Sequence, residues 1–196
     1  MNLKTIYLVH CWDGTSNDGW YPWIKENLEK NKDVKVVSFD MPNTEHPDIK
    51  EWTDKLDTMV EILNDGVYFI GHSIGCQTIM RYLENKEIDK IGGLLFVAPW
   101  LDLLPNAISD EDSYNTAYPW INTEIDFNKI KKSTNNITCI FSDNDYFVSL
   151  DEENKFKLNL DAKTIIVKEK GHISADDDVF ELKEILESAI EMIECN

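Results

Sequence analysis

The stretch "VYFIGHSIGCQTIMRYLE", residues 67–84, runs from strand-forming residues through Gly71-His72-Ser73-Ile74-Gly75 straight into a helical pattern. An ordinary crossover between a strand and a helix rarely places a serine between two glycines. Strand, G-x-S-x-G, helix is the setting in which the pentapeptide forms a nucleophile elbow. The serine then sits on a sharp, strained turn, and the small residues two before and two after it let strand and helix approach closely. Its hydroxyl is exposed, and the N–H of Ile74, at a helix N-terminus, points at the same spot. The plainer reading is a glycine-bearing turn whose serine caps the helix. The surrounding pattern favours Ser73 as a nucleophile.

Working outward, short apolar runs alternate with helical patterns. "TIYLVH" (5–10), "VKVVSF" (34–39), "VYFIG" (67–71), "IGGLLFVAP" (91–99), "NITCIFS" (136–142) and "AKTIIVKE" (162–169) read as strands. Helical spacing is found over 20–30, 48–63, 74–85, 151–160 and 177–194. Near-continuous apolar strands alternating with helices predict a three-layer αβα sandwich, with a mostly parallel sheet of about six strands in one domain over 1–196. Residues 100–135 carry Pro105, Pro119 and many polar side chains without a strong period. That stretch either covers a pocket or forms a helical excursion on the sheet.

In such sheets sites form at the carboxyl ends of the strands, and the partners of a serine nucleophile are sought there. A neutral hydroxyl needs a base. Of the four histidines, His72 lies inside the elbow, His46 sits in a proline-bounded loop, and His10 ends the first strand. His172 follows the sixth strand in "VKEKGHIS" and is the expected base. An orienting carboxylate is expected after the fifth strand in "FSDNDYFV", where Asp145 is preferred and Asp143 is read as a turn former. A tetrahedral intermediate needs a second backbone donor besides Ile74. The loop "LVHCWDG" (8–14) offers Trp12, with Cys11 next. Trp12 and Trp100 follow strand ends and are expected to line the substrate pocket.

Composition narrows the partners. Lys and Arg total 19 against 37 Asp and Glu, a net charge of −18, which argues against nucleic acid and anionic membrane surfaces. Cys11, Cys76, Cys139 and Cys195 are far apart and form no CxxC pair, and neither a signal peptide nor a membrane span is visible. The expectation is a cytoplasmic protein with reduced thiols. The histidines are dispersed and form no HExxH, so no metal or cofactor is expected.

The order Ser73, Asp145, His172 is that of an α/β-hydrolase. The chain resembles the small serine hydrolases of that fold, the group of retinoblastoma-binding protein 9 and the bacterial YdeN-type proteins, over nearly its whole length. The resemblance rests on "GWYPWIKENLE" (19–29), "GHSIGCQTIMRYLE" (71–84), "IDFNKIKKSTNNITCIFSDNDYFV" (125–148) and "KGHIS" (170–174). It implies Ser73 as nucleophile, Asp145 as acid, His172 as base, and no large cap domain. It implies cleavage of a small acyl substrate, an ester before an amide or thioester, or, alternatively, a protein-interaction module on a hydrolase scaffold. Related hydrolases commonly carry glycine after the histidine of the first-strand loop, whereas here His10 is followed by Cys11, whose side chain restricts the backbone.

Overall fold

In the computed structural model, which describes residues 3–194, six strands form one sheet: β1 (Lys4–Val9), β2 (Val34–Ser38), β3 (Val67–His72), β4 (Gly93–Val97), β5 (Ile137–Ser142) and β6 (Lys163–Val167). Their order is β2-β1-β3-β4-β5-β6, and every neighbouring pair is parallel. The expected strands are all present with only their end residues trimmed or added. β3, β4 and β5 are buried along their whole length, because helices cover both faces. That is why they read as continuous apolar runs and not as alternation. β6, at one edge, is mostly half-buried or exposed.

The strand order decides where the helices go. The chain steps from β1 to β2, then crosses back over β1 to β3 and continues the other way. Right-handed crossovers therefore put α1 (Tyr21–Leu28) on one face and α2 (Ile49–Met59) and α3 (Ile74–Glu84) on the other. α7 (Lys183–Glu194) joins α1 around Trp20, Ile24, Tyr68, Ile70 and Ile185. α5 (Phe127–Ser133) and α6 (Glu152–Leu160) join α2 and α3 around Trp52, Phe69, Ile79, Phe96 and Phe156. The loops after β1 and β3 thus leave toward opposite faces, and the crevice between them is the sheet's switch point.

α3 is central enough that Ile74 through Leu83 are all buried. Arg81, only 1 % exposed, offers its guanidinium to Gln77 Oε1 and to the carbonyls of Trp120 (2.7 Å) and Thr123 (2.9 Å). A buried cation costs several kcal/mol unless its donors are satisfied, and here carbonyl oxygens satisfy them.

Two expectations about elements are corrected, and a third stretch, open to two readings, is resolved. α2 stops at Met59 instead of reaching Leu63: Val60 is extended, and Asn64 Oδ1 accepts the Gly66 N–H to build the turn into β3. The closing helix starts at Lys183 and not at residue 177. Ala175–Asp177 form a 3-10 turn and Asp178 takes φ 55°, although Val179 and Leu182 are buried as their spacing implied. The irregular stretch contains α4 (Glu111–Asn122) and α5, both N-capped by aspartate. Asp110 accepts from Asp112 and Ser113, and Asp126 from Asn128 and Lys129. α5 packs on α3 and α6, while the start of α4 borders the cavity described below.

Candidate active site

Ser73 stands between β3 and α3 with φ 54° and ψ −121°, a conformation that costs roughly 1–3 kcal/mol in a residue with a side chain. Its glycine neighbours make the turn possible. A Cβ at position 71 would lie 2.8 Å from the Cys76 nitrogen. One at position 75 would lie 2.5 Å from the Val9 carbonyl oxygen and 2.7 Å from that of His10. The turn is fixed by Ser73 N–H donating to Val97 O (2.9 Å) and Cys76 N–H to Ser73 O (3.0 Å).

The side chains that the sequence nominated from three separate loops meet here. Ser73 Oγ lies 2.8 Å from His172 Nε2, and His172 Nδ1 lies 2.8 Å from Asp145 Oδ2. The other carboxylate oxygen of Asp145 accepts the N–H groups of Phe147 (2.8 Å) and Val148 (3.0 Å). A carboxylate so held keeps the proton on Nδ1 and turns the Nε2 lone pair to the serine. Asp143 does not approach the histidine; it accepts the Glu169 N–H at 2.8 Å. Asn144 Oδ1 accepts the Gly171 N–H at 2.9 Å. Three consecutive side chains after β5 thus tie down the loop after β6.

His172 is steadied from its own loop as well. Its N–H donates to Asp177 Oδ2 at 2.9 Å. Gly171 has φ +53°, and a Cβ there would fall 1.9 Å from Asp177 Oδ1, so no other residue fits. Phe147 packs edge-on against the imidazole, with centroids 5.3 Å apart.

Ser73 and His172 open into a cavity of about 360 Å³ lined by Cys11, Trp12, Trp100 and Phe147. Both tryptophans expected at a pocket border it. Among the backbone donors considered, the Cys11 N–H is engaged by the Tyr21 hydroxyl at 3.2 Å. The Ile74 N–H is in the first turn of α3, where a helix offers no acceptor of its own. Trp12 lies on the cavity wall beside Ser73 and His172.

The family model described as serine hydrolase matches residues 6–188. The chain belongs to the serine hydrolase family. YdeN of Bacillus subtilis (strain 168), named for a hydrolase, is 28% identical over 176 residues, spanning 89% of this chain and 88% of its own. The crystal structure of the B. subtilis ydeN gene product superimposes with a TM-score of 0.88 at 24% identity, covering 97% of this chain and 99% of that one. Est1E of Butyrivibrio proteoclasticus, solved with ferulic acid bound, gives a TM-score of 0.70 at 16% identity, covering 98% and 90%. Likenesses at these identities establish the fold, which is that of the α/β-hydrolases.

The other histidines and thiols among the described residues lie outside the series from Asp145 to Ser73. His72 is fully buried and links the two halves of the site. Tyr21 donates its hydroxyl proton to His72 Nδ1 (2.6 Å), and His72 Nε2–H donates to the carbonyl of His172 (2.9 Å). Burial, with the neighbouring His172 charge, lowers its pKa to about 3. His10, also lowered by burial, accepts the Met41 N–H at Nε2 (2.9 Å) and donates from Nδ1 to Cys11 O (2.7 Å). His46 is exposed, 3.7 Å from Asp112. Cys11, Cys76 and Cys139 are unpaired. Burial raises all three thiols, Cys11 to about 11, which suits packing and not nucleophilic chemistry. Cys195 lies outside the described residues.

The contacts that Tyr21, Phe147 and Asp177 make at the site were not anticipated. Only Asp177 had a legible signal, the Ser174-x-x-Asp177 spacing of a capping box, which is formed.

The buried His72 gives a pH prediction. Its folded pKa, about 3, is below the ordinary 6.5, so between those values the unfolded chain binds a proton that the folded chain excludes. Stability is full above the upper value and declines on acidification through that window, by about 1.4 kcal/mol per pH unit. Urea unfolding midpoints should fall steadily from neutral pH to about pH 4, and His72→Gln should flatten that fall. An unchanged slope in the variant would contradict the assignment.

Proposed function

We propose that this chain is a cytoplasmic serine hydrolase that cleaves a small acyl compound, a carboxylic ester first, with amides and thioesters open to the same chemistry. The observation that carries the reading is the unbroken series Asp145–His172–Ser73, at 2.8 and 2.8 Å, at the mouth of a cavity.

The steps follow from the geometry. Ser73 Oγ attacks the acyl carbon while its proton passes to His172 Nε2, and the Asp145 carboxylate stabilises the imidazolium. The electron pair of the carbonyl moves to its oxygen, which the N–H groups of Ile74 and Trp12 receive. One such donor contributes about 3 kcal/mol to the transition state. The carbonyl re-forms, the bond to the leaving group breaks, and His172 returns the proton to that group. A water then repeats the sequence: His172 takes its proton, the acid departs, and Ser73 Oγ recovers its hydrogen.

The test is the mass of the protein quenched in acid during turnover of p-nitrophenyl acetate. The reading requires a species heavier by one acetyl group. A protein that binds a partner but never gains that group would instead be an interaction module. The unpaired thiols support a reducing compartment, and no helix among the described residues is long and apolar enough to cross a membrane.

The cavity wall also sets a charge preference. Asp13, Glu45, Asp110, Asp112 and Asp176 line it, with no Lys or Arg. These exposed carboxylates repel a nearby anion through water, an effect that is modest and screened by salt. Mono-p-nitrophenyl succinate should therefore be hydrolysed about tenfold more slowly than its methyl ester at low salt, and the gap should narrow as salt rises. Equal kcat/KM values at low salt would contradict this.

A further inference from the structure

The tryptophans of this fold mostly aim their indole N–H at backbone carbonyls. Trp12 donates to Glu45, Trp20 to Ile173, Trp52 to Pro42 and Trp120 to Pro47, all at 2.8–3.0 Å. Trp100 differs: its indole N–H donates to Ser73 Oγ at 3.2 Å. The serine hydroxyl has one proton, directed at His172 Nε2, so its lone pair is free to accept.

The position of Trp100 is closely determined. β4 ends in a bend at Ala98, which has φ 46° although it carries a side chain, and Pro99 follows. Strain of this kind persists only where surrounding contacts impose it. The Ala98 N–H is held by Ile140 O at 2.8 Å. Beyond the bend, Gln77 Nε2 donates to Trp100 O (3.2 Å), and buried Glu152 accepts the Leu101 N–H (2.7 Å). Gln77 is itself braced by Arg81. The indole is 1 % exposed, so its N–H has no access to bulk water.

We propose that Trp100 is a catalytic residue: its indole N–H holds Ser73 Oγ with the hydroxyl proton aimed at His172, and stabilises that oxygen whenever it bears negative charge. The inference rests on the proposed acyl-enzyme chemistry. It assigns Trp100 a role beyond lining the pocket. A donor on Oγ also lowers the basicity of the attacking oxygen, so its benefit during acylation is partly offset. In deacylation nothing offsets it. Water adds to the acyl carbon, its proton passes to His172 Nε2, and the carbon–Oγ bond then breaks. The electron pair of that bond goes to Oγ, which the indole N–H stabilises until His172 returns a proton to it. Deacylation is therefore the step most sensitive to Trp100.

The test is pre-steady-state hydrolysis of p-nitrophenyl acetate by the wild type and Trp100→Phe, which keeps an aromatic ring and removes the N–H. The deacylation rate constant is expected to fall about tenfold to a hundredfold, the acylation rate constant by less, and the acetylated protein to accumulate. A deacylation constant within about twofold of the wild type would overturn the inference. So would a variant that changes only KM. A wild type that forms no acetyl-enzyme would defeat the underlying reading as well, which separates the two failures. An independent measurement needs no variant: the Trp100 indole proton resonance, assigned through its nuclear Overhauser contacts, should shift when Ser73 is phosphonylated. The carbonyl-bonded indoles of Trp52 and Trp120 should stay in place. An unmoved Trp100 resonance would overturn the inference.

Discussion

Ser73→Ala is expected to lower kcat toward p-nitrophenyl acetate by about a million-fold, the scale seen when a serine nucleophile is removed from an enzyme of this chemistry. Among the described residues Cys11 is the only thiol on the cavity wall, and burial holds its pKa at about 11. The substitution leaves the fold in place, because the elbow is held by backbone bonds of Ser73 and by the two glycines, not by the hydroxyl. Thermal unfolding within a few degrees of the wild type is the expected control. Residual turnover of more than about a thousandth of wild type, in a pure and folded variant, would mean that another group is the nucleophile.

Asp145→Asn should cost about ten-thousand-fold in kcat, through the tautomer of His172 and not through any loss of structure. The backbone decides how the amide sits. Phe147 and Val148 both present N–H groups to one oxygen of residue 145, so the asparagine must keep its carbonyl there. Its NH₂ then faces His172 Nδ1 and requires that nitrogen to accept. The imidazole proton moves to Nε2, where it meets Ser73, and the base is lost. Asp143→Asn is the matching control. Its side chain receives only the Glu169 N–H, an acceptor role that asparagine retains, so kcat should stay within about twofold. Equal losses in the two variants would contradict the assignment of Asp145.

The readable parts of this chain are those in which one local pattern has one physical solution. A serine flanked at two residues' distance by glycines, between an apolar strand and a helix, admits little but the elbow, and the contacts of Gly71 and Gly75 show why. The buried central strands were legible because covering both faces makes them continuously apolar. Asp145, preferred for the Asp145-x-x-Val148 stretch that leads into a helix, lies beside His172, and the turn after it places two N–H groups on its carboxylate. The sequence was silent where a role depends on what lies across the fold. Tyr21 reaches both Cys11 and His72, and no spacing along the chain marks that contact. The start of α7 was misplaced because Val179 and Leu182 are buried by an irregular segment whose spacing imitates a helix. α4 was obscured by Pro119 within it, and both α4 and α5 by polar sequence without a strong period, although Asp110 and Asp126 stood at their starts as caps.

The most direct measurement is labelling of the full chain with a fluorophosphonate, followed by peptide mapping of the adduct. A single phosphonyl group on Ser73, absent from Ser73→Ala and from heat-denatured protein, is the predicted result. Wild-type protein that resists the probe, or an adduct mapped to any other residue, would contradict the account.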